Sequence, residues 1–194
     1  MCIRDSHLAW HTPALFAEDD ADLDLLGDIL ANGKTSRLYR SLVHERRIAL
    51  DVAAAQSSRE LAGVFQVVAT VASLDRLAEV DAAMREEIAR LAGDGPTEDE
   101  LSRVLAQAEA HFVYRLQHIG GFNGKSDQLN AYNVMLGTPD GFERDLARYQ
   151  RATLASIRAA AARWLDGVPC VALTIVPAGR AAGALPGSVP ARVS

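Results

Sequence analysis

The stretch Gly33–Ala55, GKTSRLYRSLVHERRIALDVAAA, decides the fold. Leu38, Leu42 and Val43 fall at helical spacing, the basic pair Arg46–Arg47 makes a turn, and Leu50, Val52 and Ala54 then alternate with Asp51, Ala53 and Ala55. A period near 3.6 giving way to a period of 2 marks a helix running into a strand. Ser36 is placed to cap that helix, which ends near Arg46.

On the N-terminal side, Leu8–Phe16 reads as a strand broken by Pro13, which cannot donate to a ladder. Glu18, Asp19, Asp20 and Asp22 precede Leu23, Leu26, Ile29 and Leu30. Carboxylates there suit the positive end of a helix, and Gly33 closes it. On the C-terminal side, Val64–Val71 sets Phe65, Val67, Ala69 and Val71 on one face, and the short connection predicts an antiparallel hairpin. Leu74, Leu77, Val80, Met84, Ile88 and Leu91 then form the seam of a helix of about 18 residues. Gly93–Pro96 ends it. Thr97 and Glu100 make a capping box before a second seam at Leu101, Leu105, Ala108, Phe112, Leu116 and Ile119, which Gly120–Gly121 stops. Gln128–Leu136, the stretch around Phe142, Leu146 and Tyr149, and Leu154–Leu165 predict three further helices, and Cys170–Pro177 a buried closing strand. This order predicts an α+β fold, an antiparallel sheet with long helices packed on one face.

The chain has 194 residues, 49% of them hydrophobic and 23% charged, enough for one sizeable core. Residues 1–6 read as a foreign or truncated start, 7–178 as the domain, and 179–194 as a linker-like tail of Ala, Gly, Pro and Ser. A net charge of -5 argues against nucleic acid as the partner, because phosphate binding needs clustered Lys and Arg. No apolar run approaches the roughly 18 residues of a membrane span. Cys2 and Cys170 sit at opposite ends with no Cys-x-x-Cys pair, so Cys170 is expected to pack as a small hydrophobe.

Catalytic chemistry finds little support in the side chains. His111 and His118 are seven apart on one predicted helix, about 10.5 Å along its axis, too far to share a zinc ion. His7 and His11 stand too far apart on a strand, and His44 has no second histidine at ligand spacing. No Gly-x-Ser-x-Gly elbow exists. Carboxylate pairs such as Glu86–Glu87 and Asp99–Glu100 read as solvent-facing charge or capping. The glycine-rich loop Gly120–Lys125 follows a helix, so it is neither a dinucleotide fingerprint nor a P-loop.

Four local patterns resemble the non-zinc domains of the pitrilysin/insulinase family of zinc metallopeptidases. They are WHTPAL (Trp10–Leu15), GKTSRLYRSLVHERRIALDVAA (Gly33–Ala54), the turn Gly95–Leu101, and GGFNGKSDQLNAYN (Gly120–Asn133). The family's zinc motif, His-x-x-Glu-His, occurs nowhere in the chain. The resemblance therefore implies a fragment from a bacterial peptidase, a non-catalytic domain that helps hold peptide substrate and close the chamber. Alone it would bind no zinc and be inactive, with zinc in a partner catalytic domain of the same or a companion chain. The Arg/Tyr pair that reaches the active site in some family domains aligns with Val43 and Leu50, so neither inherits that role. Some members bind extended substrate by adding a strand to a sheet edge, which here implicates Ala53, Ala54, Ala55, Gln56 and Ser57. A strand already paired within the sheet is the plainer reading of the same residues. The alternative role is a structural or assembly subunit with no peptidase activity. Relatives imply a periplasmic location, with the cytoplasm as the alternative.

Overall fold

The computed structural model describes residues 4–122 and 124–191; Cys2 lies outside them. Its strands are β1 (Asp5–Thr12), β2 (Ala49–Ser58), β3 (Gly63–Val71) and β4 (Val171–Ile175). They form one antiparallel sheet in the order β2-β3-β1-β4. The helices are α1 (Asp20–Ala31), α2 (Leu77–Asp94), α3 (Glu98–Arg115), α4 (Lys125–Leu136), α5 (Phe142–Gln150) and α6 (Leu154–Trp164). α1, α2 and α6 pack on one face of the sheet, α3 lies against α1, and α5 touches both α1 and α3. The expected α+β class is the one observed.

The core follows from the two periodicities. Phe65, Val67, Ala69 and Val71 of β3 are all buried, beside Leu8 and Trp10 of β1. Leu23, Leu26, Ile29 and Leu30 of α1 close over them, and Val80, Met84, Ile88 and Leu91 of α2 complete the layer. Trp10 and Phe65 meet edge to face at 6.4 Å. The capping box at Thr97 and Glu100 forms as expected, and a second one joins Thr153 to Ser156 at α6. Glu100 also binds Arg37 through two bonds of 2.7 and 2.8 Å, while Arg37 donates to the Gly95 carbonyl at 2.9 Å. The segment Gly33–Ala55 is thereby tied to the start of α3.

Several local expectations are corrected. β1 begins at Asp5, not Leu8, because Asp5 and Ser6 already pair with β3 and β4. Ser36 does not cap by accepting; its hydroxyl donates to the Gly33 carbonyl at 2.7 Å. The following helix widens into a π-helical turn, Tyr39–Glu45, which leaves Leu38 and Leu42 both buried. A bulge between Ala49 and Asp51 turns Leu50 out to 59% exposure, so Ala49 and Val52 face the core instead. Leu74 sits in a short 3₁₀ turn, and α2 starts only at Leu77. α3 ends at Arg115, which leaves Ile119 80% exposed. Glu87 is buried at 6% exposure, not solvent-facing, and pairs with Arg90 at 3.1 Å. β4 is largely exposed, so Cys170 is half-buried beside it, 3.6 Å from Arg85. In the tail, Leu185 packs back against the core.

Phe65→Ala should cost about 3–5 kcal/mol, since its ring is fully enclosed and cannot be replaced by water. Urea unfolding of the two chains checks this.

Candidate functional site

β2 is an edge strand: among the described residues, β3 is its one neighbour in the sheet. Beside it runs a groove of about 570 Å³, bounded by Ala54, Ala55 and Gln56 of β2, Asp24 and Asp28 of α1, and residues of α3 and α5. The small alanines leave the space open. Gly27 lets α1 lie low over the strand, since a Cβ there would stand 3.4 Å from the Ala54 carbonyl oxygen and from the Ala55 Cα.

Of the five residues singled out on β2, Ala54, Ala55 and Gln56 line this groove. Ala53 and Ser57 are exposed and do not line it. Gln56 is held in place, accepting from Thr12 Oγ1 and donating to Ser58 Oγ, each at 3.0 Å. The plainer reading, a strand paired within the sheet, holds for one side of β2 only.

The groove's acidic wall comes from α1, where Asp20, Asp24 and Asp28 repeat every four residues along one side. Asp20 is fully committed: it accepts from the Phe16 amide at 3.0 Å, from Arg148 Nη2 at 2.7 Å, and from the Ser58 hydroxyl. Asp24 accepts from the Tyr149 hydroxyl at 2.5 Å. Burial pushes its carboxyl up to about 7, with the Tyr149 bond opposing and the Asp20 charge adding. Burial also raises Asp28, against a bond from Asn32 Nδ2 of 2.9 Å. Burial raises the Tyr149 phenol, as does its acidic partner Asp24. Across the groove, burial and nearby Arg115 lower His111 and favour its neutral form. Arg115 stacks over Phe112 at 5.0 Å, and its Nε has no hydrogen-bond partner.

The sequence reading singled out residues of β2 and passed over the acidic wall beside them. The acidic residues near Asp20 read as helix-end charge, whereas the four-residue repeat Asp20–Asp24–Asp28 was the available signal. Among the described residues, no group of three or more His, Cys, Asp or Glu side chains is placed to hold a metal ion. The residues therefore do not fit a zinc centre, and no hydrolytic step is assigned to them. What the arrangement offers is a strand at the sheet edge with a polar slot alongside.

Comparison with known proteins places the chain. The family model for the peptidase M16 inactive domain matches residues 4–108, more than half of the sequence. The chain belongs to that family. Its fold is shared with the inactive peptidase domain of a Bordetella parapertussis protein described as a zinc protease, at TM-score 0.77 and 19% identity, covering 91% of this chain and 92% of that one. It is shared too with a protease from Helicobacter pylori, at TM-score 0.75 and 18% identity over 90% of this chain. This chain spans only 41% of the Helicobacter pylori protein. The periplasmic protease PqqL from Escherichia coli has TM-score 0.69 and 13% identity, covering 90% of this chain and 19% of its own. No curated protein sequence matches. An M16 inactive domain is the non-catalytic member of the pitrilysin/insulinase type, as the sequence patterns implied. No helix among the described residues is long and apolar enough to cross a membrane.

In the M16 inactive domain described here, Asp24 keeps its proton to about pH 7 when folded, but only to about its ordinary 3.8 when unfolded. The folded state holds the extra proton between those values, so stability falls as pH rises through this window and levels off above it. The slope should be on the order of 1 kcal/mol per pH unit and should flatten in Asp24→Asn, whose amide oxygen still accepts from Tyr149. Urea unfolding at a series of pH values measures it.

Proposed function

We propose that this chain is the substrate-holding, chamber-forming domain of a bacterial insulinase-type zinc metallopeptidase. It captures an extended peptide as an added strand along the outer edge of β2, over Ala53–Ser57. The observation that carries this reading is the position of β2 at the sheet edge beside the groove. Backbone hydrogen bonds would supply affinity there, and the slot would receive alternate side chains. Zinc belongs to a catalytic domain on the same or a companion chain. The likeness to the periplasmic PqqL supports a periplasmic setting.

Capture by strand addition has a signature in the peptide. In an antiparallel or parallel partner, successive amides point alternately toward and away from the edge. Methylating one alternate set of peptide amides should abolish binding, while methylating the other set leaves it intact. Equal loss from both sets sinks the strand-addition model.

Peptidase activity tests the wider role. The isolated chain should cleave nothing and gain no activity with added zinc. Mixing it with the zinc-bearing domain from its own gene should raise cleavage above that domain alone. Stoichiometric zinc and chelator-sensitive cleavage by the isolated chain would refute the proposal. No effect on mixing would instead favour an assembly subunit.

A further inference from the structure

We propose that the groove beside β2 selects peptides carrying a lysine or arginine, whose head group seats between Asp24 and Asp28. This inference rests on the strand-edge reading of β2 and adds a specificity to it.

The argument is one of charge complementarity. Asp24 and Asp28 lie one helical turn apart, about 6 Å along α1, and both line the groove. Their hydrogen-bond partners are neutral: the Tyr149 hydroxyl for Asp24 and the Asn32 amide for Asp28. Each bond uses one carboxylate oxygen, and neither residue forms an ion pair among the described residues. A carboxylate taken partly out of water is costly; Arg148 and Arg103 act on these two only from beyond ion-pair distance, and a ligand cation in direct contact offsets the cost that remains.

The neighbouring cations do not fill this place. Arg148 is bound to Asp20 at 2.7 Å. Arg103 reaches the Asn32 carbonyl at 3.3 Å and Gln107 at 3.2 Å. Arg115 lies over the Phe112 ring, and His111 is held toward its neutral form. Burial favours the protonated form of both aspartates, so a cation is bound most strongly where they are ionised. Binding is therefore read at pH 8. Asp20 and the Tyr149 phenol complete the charged and titratable groups against Asp24.

A peptide strand beside β2 turns every second side chain toward the slot between α1 and α3. The selected position is thus fixed in register, which separates it from general attraction to a chain of net charge -5.

The test is a fluorescence-anisotropy titration of the full chain at pH 8 with extended octapeptides of neutral polar and aliphatic residues. One position at a time carries lysine, norleucine or glutamate. Lysine should bind about tenfold tighter than norleucine at alternate positions only, and glutamate more weakly than either. In Asp28→Asn, which leaves the Asp24–Tyr149 bond untouched, the ratio of lysine to norleucine affinity should fall toward one. Asp24→Asn should act in the same direction. Equal affinity for lysine and norleucine peptides overturns the specificity and leaves strand addition standing. A lysine gain at every position, unchanged by Asp28→Asn, overturns it as well. No binding of any peptide overturns the strand-edge reading and this inference with it.

Discussion

The buried ion pair between Asp20 and Arg148 is the constraint on which the rest of the structure depends. Asp20 is only 1% exposed, and one carboxylate there joins the loop after β1, the end of β2 and helix α5. Withdrawing a carboxylate from water costs several kcal/mol unless its oxygens are hydrogen-bonded and a cation is close. All three partners must therefore be in place together. Phe16 accepts a left-handed backbone, φ 64°, to present its amide to Asp20. That conformation is unfavourable for a bulky side chain, and the Arg148 guanidinium 4.8 Å above its ring helps to offset it.

Around this pair, the acidic side of α1 is gripped from Asp19 to Asp24 by the C-terminal helices. Asp19 accepts from Trp164 Nε1 at 2.9 Å and from Arg163 at 3.1 Å, and Asp22 accepts from Ser156 at 2.8 Å. Tyr149 does the same for Asp24 at 2.5 Å. Every one of these donors lies beyond the segment that matches the family model, residues 4–108. The matched segment thus provides the strand and the acids, and the later helices fix the geometry of Asp19 to Asp24. A groove assembled this way keeps its shape before any ligand arrives, which lowers the entropic cost of binding.

The parts of the fold legible in the sequence are those where one strong local pattern acts without competition. The β3 face, the α1 core residues and the Thr97–Glu100 box are read directly from period or spacing. The failures occur where two requirements collide. Leu50 continues the alternation of β2 on paper, but the bulge needed to follow the π-helical turn flips it outward. Leu116 and Ile119 extend the α3 seam in sequence, yet no neighbouring element reaches far enough to bury Ile119. Asp20 looks like a surface charge because its partner, Arg148, becomes visible only in the folded arrangement, whereas Glu87 has its partner, Arg90, three residues on in the same helix. The β2 residues were singled out by likeness to a family, whereas Asp20 and Asp24 beside them are fixed by contacts 125 or more positions apart in the chain.

The sheet has two free edges, and they are not equivalent. At β4, Val171, Ala172, Leu173 and Ile175 are all exposed, so a strand added there would meet water on both of its faces. At β2, the helix side is walled by α1 and α3, while the opposite side presents Asp51, Ala53 and Ser57, which are small or polar. A strand laid along β2 can bury alternate side chains as well as pair its backbone, and side-chain burial is what separates specific from indiscriminate edge pairing. The apolar edge at β4 offers adhesion without selection. The β2 edge couples the same backbone chemistry to a shaped and charged slot, and that asymmetry is what supports the substrate capture proposed for it.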